Sequence, residues 1–322
     1  AMFSFGARRE KPVLIADIES GSVGVAIAIL KKGAPVKILV CKRAHLPLIE
    51  RDEAHVTSSI ITLFSETVPV VLKEYTESEH AARYGAAQSL TVVVGSPWVR
   101  SRSAGAEDLF TEEKTITDAM IKELAKRALS EPSTLDSSRV FESSVIRVQL
   151  NGYPTGSPVG KKAHHLQVTA FQSDIDQKLR TGVESVLGAS FPGRPVALRS
   201  SIRALLAVLH ERIHGNHYMI LSMGTEGTDC ISVHKEDLNE HSSLPIGVRS
   251  IAQRLSGEQG LPEEIFSQLR MLIADTCSTP SCEAIKTNLA KLEPELVRSF
   301  AELFSQISSR RKIPNTCLLV TH

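Results

Sequence analysis

The feature that most constrains this chain is a strand that runs into a turn of small residues and comes back, found once in each half. Pro12 to Asp17 is an apolar run ending in a carboxylate, Ile18-Glu19-Ser20-Gly21-Ser22-Val23-Gly24 turns it, and Val25 to Ile29 return. In the second half, Tyr218 to Met223 lead into Gly224-Thr225-Glu226-Gly227-Thr228, and Cys230 to Val233 return. Short apolar runs bounded by Gly and Ser read as strands, and their repetition reads as an internal duplication. A chain of 322 residues, 42% of them hydrophobic, is long enough to supply two cores without disulfide or metal staples.

The surrounding pattern extends the reading. Lys31-Lys32-Gly33-Ala34-Pro35 turns the chain again, and Val36, Ile38 and Val40 alternate as a third strand of an antiparallel meander. Val56, Ile60, Phe64, Val71 and Leu72 have helical spacing, with Pro69 predicted to kink or interrupt the helix. Ser89 to Gly95 reads as a buried strand, which completes a β-β-β-α-β order. Composition turns polar at Gly105, and a helix is predicted from about Thr117, with Ile121, Leu124, Ala125 and Ala128 on one face. Ser144 to Leu150 and His165 to Phe171 read as strands flanking a Gly- and Pro-rich loop. Residues 104–165 therefore read as a small inserted α/β subdomain. Ile202, Leu205, Leu206, Leu209 and Ile213 form a helical stripe, residues 246–308 read as mostly helical, and Cys317 to Val320 as a closing strand.

Composition excludes some classes. Lys and Arg number 37 against 36 Asp and Glu, so no bulk field argues for a polyanion, and nucleic acid is not an expected partner. No run approaches the roughly 18 apolar residues needed to span a bilayer, and Ala1-Met2-Phe3-Ser4-Phe5-Gly6 lacks a long apolar signal segment. The expected localisation is cytoplasmic. Cys41, Cys230, Cys277, Cys282 and Cys317 are an odd set that fits reduced thiols, and the Cys277/Cys282 pair alone leaves a tetrahedral zinc two ligands short. His210 and His214 could share a helix face as metal ligands but have no positioned third ligand. Lys161-Lys162-Ala163-His164-His165 reads as a solvated loop and strand start or as a basic contact patch, and Arg310-Arg311-Lys312 as cations at a helix C-terminus or as a contact for a lipid or acidic peptide. Trp98 reads either as a packing anchor or as a contact for a partner.

Chemistry concentrates in the two hairpins. Small residues let backbone N–H groups approach phosphate oxygens, hydroxyls add donors, and a carboxylate can hold a hydrated Mg²⁺. Asp17-Ile18-Glu19-Ser20-Gly21-Ser22-Val23-Gly24 resembles the first phosphate motif of the actin-like ATPases, especially their bacterial FtsA/PilM group. Leu150-Asn151-Gly152-Tyr153 with Pro158-Val159-Gly160 is similar to the loop closing that group's inserted subdomain. Ala204 to Leu209 followed by Leu221-Ser222-Met223-Gly224 resembles its connecting helix and second phosphate motif, and Leu244 to Ala252 the segment beyond.

The resemblance implies an actin-like, ribonuclease H-like duplicated α/β fold with two domains and a small inserted subdomain of the SHS2 type. Residues 10–103 with 166–195 would be subdomain 1A, 104–165 the insert 1C, 196–250 with 295–322 subdomain 2A, and 251–294 a helical 2B. It implies ATP with Mg²⁺ as cofactors, held by Asp17, Ser20, Gly21, Ser22 and Gly24 from one hairpin and Gly224, Thr225 and Thr228 from the other. Asp17 would hold the metal through water. The implied role is a scaffold at the inner face of the membrane, bound to the cytosolic tail peptide of an inner-membrane pilus or division protein, with self-association into dimers or filaments. Departures weaken the nucleotide side of that reading. Glu19 stands where the motif has Gly, and Ser222 where the second motif has Asp. Leu205 and Leu206 leave the connecting helix without a water-positioning group, and the sequence ends at Thr321-His322 where relatives continue into a Gly-Gly loop and a closing helix.

Overall fold

In the computed structural model, the described residues are 11–31, 33–48, 53–210, 212–213, 217–234, 237–257, 261–276, 280–308 and 313–321. Cys277, His214 and the Arg310-Arg311-Lys312 stretch lie outside them.

Strand β1 (Pro12–Glu19) and β2 (Ser22–Ile29) form a hairpin whose turn is Ser20 and Gly21, and β3 (Lys37–His45) adds antiparallel to β2. Helix α1 (Glu53–Glu77) and the short α2 (Glu79–Tyr84) return the chain to β4 (Ser89–Val94), which lies parallel to β1. Val56, Ile60, Phe64, Val68, Val71 and Tyr75 of α1 are buried, an i, i+4 stripe. By length and composition alone this helix could cross a membrane, but its apolar stripe is spent on the protein core. The expected break at Pro69 does not occur. Pro69 is on the exposed side of α1, so the carbonyl its ring leaves unbonded faces water and the helix continues.

The long strand β5 (Val99–Thr115) follows, then α3 (Asp118–Leu129), β6 (Val140–Leu150), the two-residue β7 (Tyr153–Pro154) and β8 (Lys162–Ile175). They make an antiparallel sheet in the order β5-β8-β6-β7. The expected limits of the insert, 104 and 165, fall inside β5 and β8, which pair from Val99↔Ile175 onward. Helix α3 starts where Thr117 accepts a hydrogen bond from Met120 N, carries Asp118 in its first turn and Lys126 and Arg127 in its last. Its Ile121, Leu124 and Ala125 pack with Val148, Leu150, Leu166 and Val168 on one face of the sheet.

Helix α4 (Gln177–Ser190) leads to β9 (Val196–Ser200), parallel to β4, so the first sheet reads β3-β2-β1-β4-β9. Helix α5 (Ser201–His210) precedes a second meander of β10 (His217–Met223), β11 (Thr228–His234) and β12 (Asp237–Leu244). Helices α6 (Val248–Ser256), α7 (Ile265–Ile273) and α8 (Pro280–Ser308) then connect to β13 (Cys317–Thr321), which is parallel to β10. The order β12-β11-β10-β13 repeats β3-β2-β1-β4 strand for strand: the duplication read from the two hairpins is a duplication of sheets.

The chain divides into two compact units, one holding the residues up to Trp98 with Asp176–Ser201, the other Val99–Ile175 with the residues from Ile202 on. In the second, Phe171 of β8 is fully buried among Ile202, Leu206, Tyr218, Ile220, Ile231, Val233 and Leu238, so the insert and the second meander share a core. The guanidinium of Arg203 lies 5.8 Å from the Phe171 ring, and the Ser103 hydroxyl donates to the Leu238 carbonyl. Trp98 is an anchor: it is 6% exposed, and its Nε1 donates to Thr57 Oγ1 at 2.8 Å. Cys41, Cys230 and Cys317 are free thiols, but Cys282 is buried and disulfide-bonded, which corrects the expectation of wholly reduced cysteines.

Candidate functional site: two self-bonded hairpins

In the first hairpin, antiparallel register sets Asp17 opposite Gly24, and Gly24 opposite Arg43 on β3. Cross-strand partners share a face of the sheet, so these three form a row. Gly24 leaves the middle of the row empty. Arg43 fills it: a β-carbon on Gly24 would meet its Nη2 at 2.9 Å and its Cζ at 3.1 Å. The fork ion-pairs through Nη2 with Asp17 Oδ2 and donates through Nη1 to Ser22 Oγ at 2.7 Å. Ser20 and Ser22 are buried at 2% and 6% exposure, and the Gly21 carbonyl accepts from Leu46 N at 2.8 Å. Of the residues expected to line a phosphate site, Asp17, Ser22 and Gly24 are therefore brought together around a cation supplied by the chain itself.

Glu19 turns the other way. Its carboxylate lies over Gly95 at the end of β4, where a β-carbon would be 2.5 Å from Oε2, and it is 8% exposed. The Gly95 amide donates to the Ile18 carbonyl at 2.9 Å. The missing side chain at 95 thus gives the bulky anion at 19 a place to lie.

The second hairpin closes on helix α6. Gly224 N donates to the Gly227 carbonyl at 2.9 Å, and the first amides of α6, Val248 N and Arg249 N, each donate at 3.0 Å to the carbonyls of Gly224 and Thr225. Free amides at a helix N-terminus would be an anion site; here two of them are bonded to the loop. The Arg249 guanidinium pairs with Glu226 at 2.6 Å, and both side chains are largely buried. Thr228 is fully buried, and its hydroxyl donates to the Ile246 carbonyl at 2.6 Å. Next to it, Asp229 accepts from Ser243 at 2.6 Å and lies 3.0 Å from His241 Nε2.

No family model matches the chain, and no curated protein matches it in sequence. Among solved structures, the PilM–PilN type IV pilus biogenesis complex matches 98% of this chain and 82% of the matched chain, at 16% identity and a TM-score of 0.54. That likeness joins the doubled sheet order described above. The chain has an actin-like ATPase fold. Two other similar structures are the ethanolamine utilization protein EutJ from Carboxydothermus hydrogenoformans (10% identity, 96% of this chain and 76% of that one, TM-score 0.44) and a Bacteroides thetaiotaomicron protein of actin-like ATPase fold and unknown function (12%, 90% and 91%, 0.33).

An actin-like ATPase fold raises the question of Mg²⁺ and ATP, and the donor set of this chain answers it unfavourably. A hydrated cation at the first hairpin needs the Asp17 carboxylate, which is engaged by Arg43. The Ser22 hydroxyl is engaged by the same fork. The Thr228 hydroxyl is committed to a backbone carbonyl and sealed from solvent. As arranged, these residues do not fit a hydrated Mg²⁺. No group of three or more His, Cys, Asp or Glu side chains that could hold a metal occurs among the described residues. Sequence reading missed Arg43, because its position over Gly24 depends on the register of β2 against β3. The available signal was a Gly at an interior strand position.

Proposed function

We propose that this chain is a PilM-type scaffold, working at the inner face of the cell membrane by capturing a short peptide segment of a pilus membrane protein, without nucleotide turnover. The observation that carries the reading is the likeness to the PilM–PilN complex over 98% of the chain. The self-bonded hairpins support the second half of it, since the side chains that would meet a nucleotide's phosphates and metal are bonded to the protein instead.

The test is a calorimetric titration of the full chain with a synthetic peptide of the cytosolic N-terminal segment of the PilN-type protein from the same genome, in Mg²⁺ with ATP and in EDTA without it. Saturable binding of equal affinity in both buffers is the expected outcome. Absence of binding in both overturns the scaffold reading, and binding only with Mg²⁺ and ATP overturns the nucleotide-free part of it.

A further inference from the structure

We infer that Arg43 is a built-in replacement for the divalent cation of the first phosphate hairpin, so that Asp17 is an ion-pair partner and not a metal ligand. The inference stands on the geometry of one hairpin and not on the peptide partner proposed above.

Three observations converge on Arg43. The register puts Asp17, Gly24 and Arg43 in one row across three adjacent strands, so the guanidinium reaches the carboxylate by crossing a single strand. The strand it crosses has no side chain at that point, and Nη2 comes within 2.9 Å of the β-carbon position of Gly24, so with the fork in this place the position stays empty. The fork engages two residues of the hairpin at once, Asp17 through Nη2 and Ser22 through Nη1. A planar guanidinium with several donors can do this, whereas a lysine ammonium is a single point charge. An isolated exposed ion pair would be weak evidence of design; a pair threaded over a glycine and fixed to a second acceptor of the same turn is a built arrangement.

The consequence for a metal is direct. A divalent cation at Asp17 must displace a hydrogen-bonded guanidinium or sit beside its positive charge, and both lower its affinity. Removing Arg43 leaves Asp17, Ser22 and the open position over Gly24 free for a hydrated cation.

The experiment is a titration of the full chain with Mn²⁺ alone, followed by the electron paramagnetic resonance of the free ion, with peptide binding measured on the same samples. The unsubstituted chain is expected to show no saturable site at the hairpin. Arg43→Ala is expected to gain one, binding about tenfold or more tighter, and Asp17→Ala added to it should abolish the gain. Arg43→Gln is a second route, because it removes the charge while keeping a polar side chain over Gly24. If Arg43→Ala does not fold, Arg43→Gln carries the test. A single Mn²⁺ site in the unsubstituted chain that Asp17→Ala removes overturns the inference, as does Mn²⁺ behaviour unchanged in both Arg43 variants. Peptide binding that fails while the Mn²⁺ results hold counts against the scaffold reading alone.

Discussion

A β-carbon on Gly247 would stand 2.4 Å from the carbonyl oxygen of Thr225. The same atom would also meet Gly227 N at 2.5 Å, so its obstacles are backbone atoms of the second hairpin and cannot rotate away. Gly247 is where the chain enters α6, and its closeness lets Val248 and Arg249 bond the loop. Gly247→Ala should therefore force the loop off the helix, at a cost of about 2 kcal/mol or more, read as a lower denaturant midpoint with an unchanged m-value.

Gly182 makes a similar approach of a softer kind. A β-carbon there would be 2.5 Å from Cδ1 of Ile61, where α4 packs on α1. Alanine recovers about 1 kcal/mol of helix propensity but overpacks the contact by about 1–3 kcal/mol. Gly182→Ala should be destabilising, and adding Ile61→Ala, which removes Cδ1, Cγ1 and Cγ2 together, should return most of the loss. Thermal melts of the two single variants and the double would show the coupling; simple additivity would contradict it.

Thr228→Val separates a structural from a ligand-binding hydroxyl. The Thr228 side chain is fully buried and donates to the Ile246 carbonyl. Its loss should cost about 1–2 kcal/mol, and the cost should be the same with and without ATP and Mg²⁺ in chemical denaturation. A cost that appears only in the presence of nucleotide would place the hydroxyl on a ligand instead.

The thiols should differ sharply in reactivity. Burial pushes the Cys230 thiol up to about 12, and burial also raises Cys317 above its ordinary value. Thiolate is the reactive form, so iodoacetamide near neutral pH should label exposed Cys41 first, Cys317 more slowly, and Cys230 only on unfolding, as read by peptide mass spectrometry. The sign of the stability effect follows. The unfolded thiol ionises at lower pH than the folded one, so the Cys230 contribution is fully present below the ordinary thiol range and is lost as pH rises towards 12.

Breaking the Arg100–Asp174 pair should cost more than breaking a pair exposed at both ends. Asp174 is 4% exposed, and besides the Arg100 fork it accepts Asp136 N at 2.8 Å. Arg100→Ala leaves a buried carboxylate without its counter-charge and should destabilise by about 3 kcal/mol. Lys73→Ala, which breaks a pair exposed at both ends, should change stability by less than about 0.5 kcal/mol. Equal effects in urea titrations would show that burial does not set the difference.

How much of this was legible in the sequence depended on whether the signal was local. The hairpin turns, the α1 stripe and the Thr117 start of α3 rest on neighbours in the chain, and they stand where the pattern put them. Strands β5 and β12 did not show, because Ser-Arg-Ser-Ala-Gly-Ala-Glu-Asp and Asp-Leu-Asn-Glu-His-Ser-Ser-Leu carry little apolar alternation; they are held by pairing with β8 and β11, which is long-range information. An interruption at Pro69 was over-read, since a proline signal does not say which side of a helix meets water. At the site, Asp17, Ser22 and Gly24 were visible as a motif, but the group that contacts all three comes from the next strand through register alone.

Phe171 gives the insert a property its boundaries conceal. One ring belongs to a strand of the antiparallel sheet and to the core under the second meander. Cutting residues 99–175 out of the chain would leave that ring in water on one fragment and a hole its size in the other. The two sheets should therefore lose their amide protection in hydrogen exchange as a single cooperative step, and residues 99–175, though contiguous in sequence, should not fold intact when cut out alone.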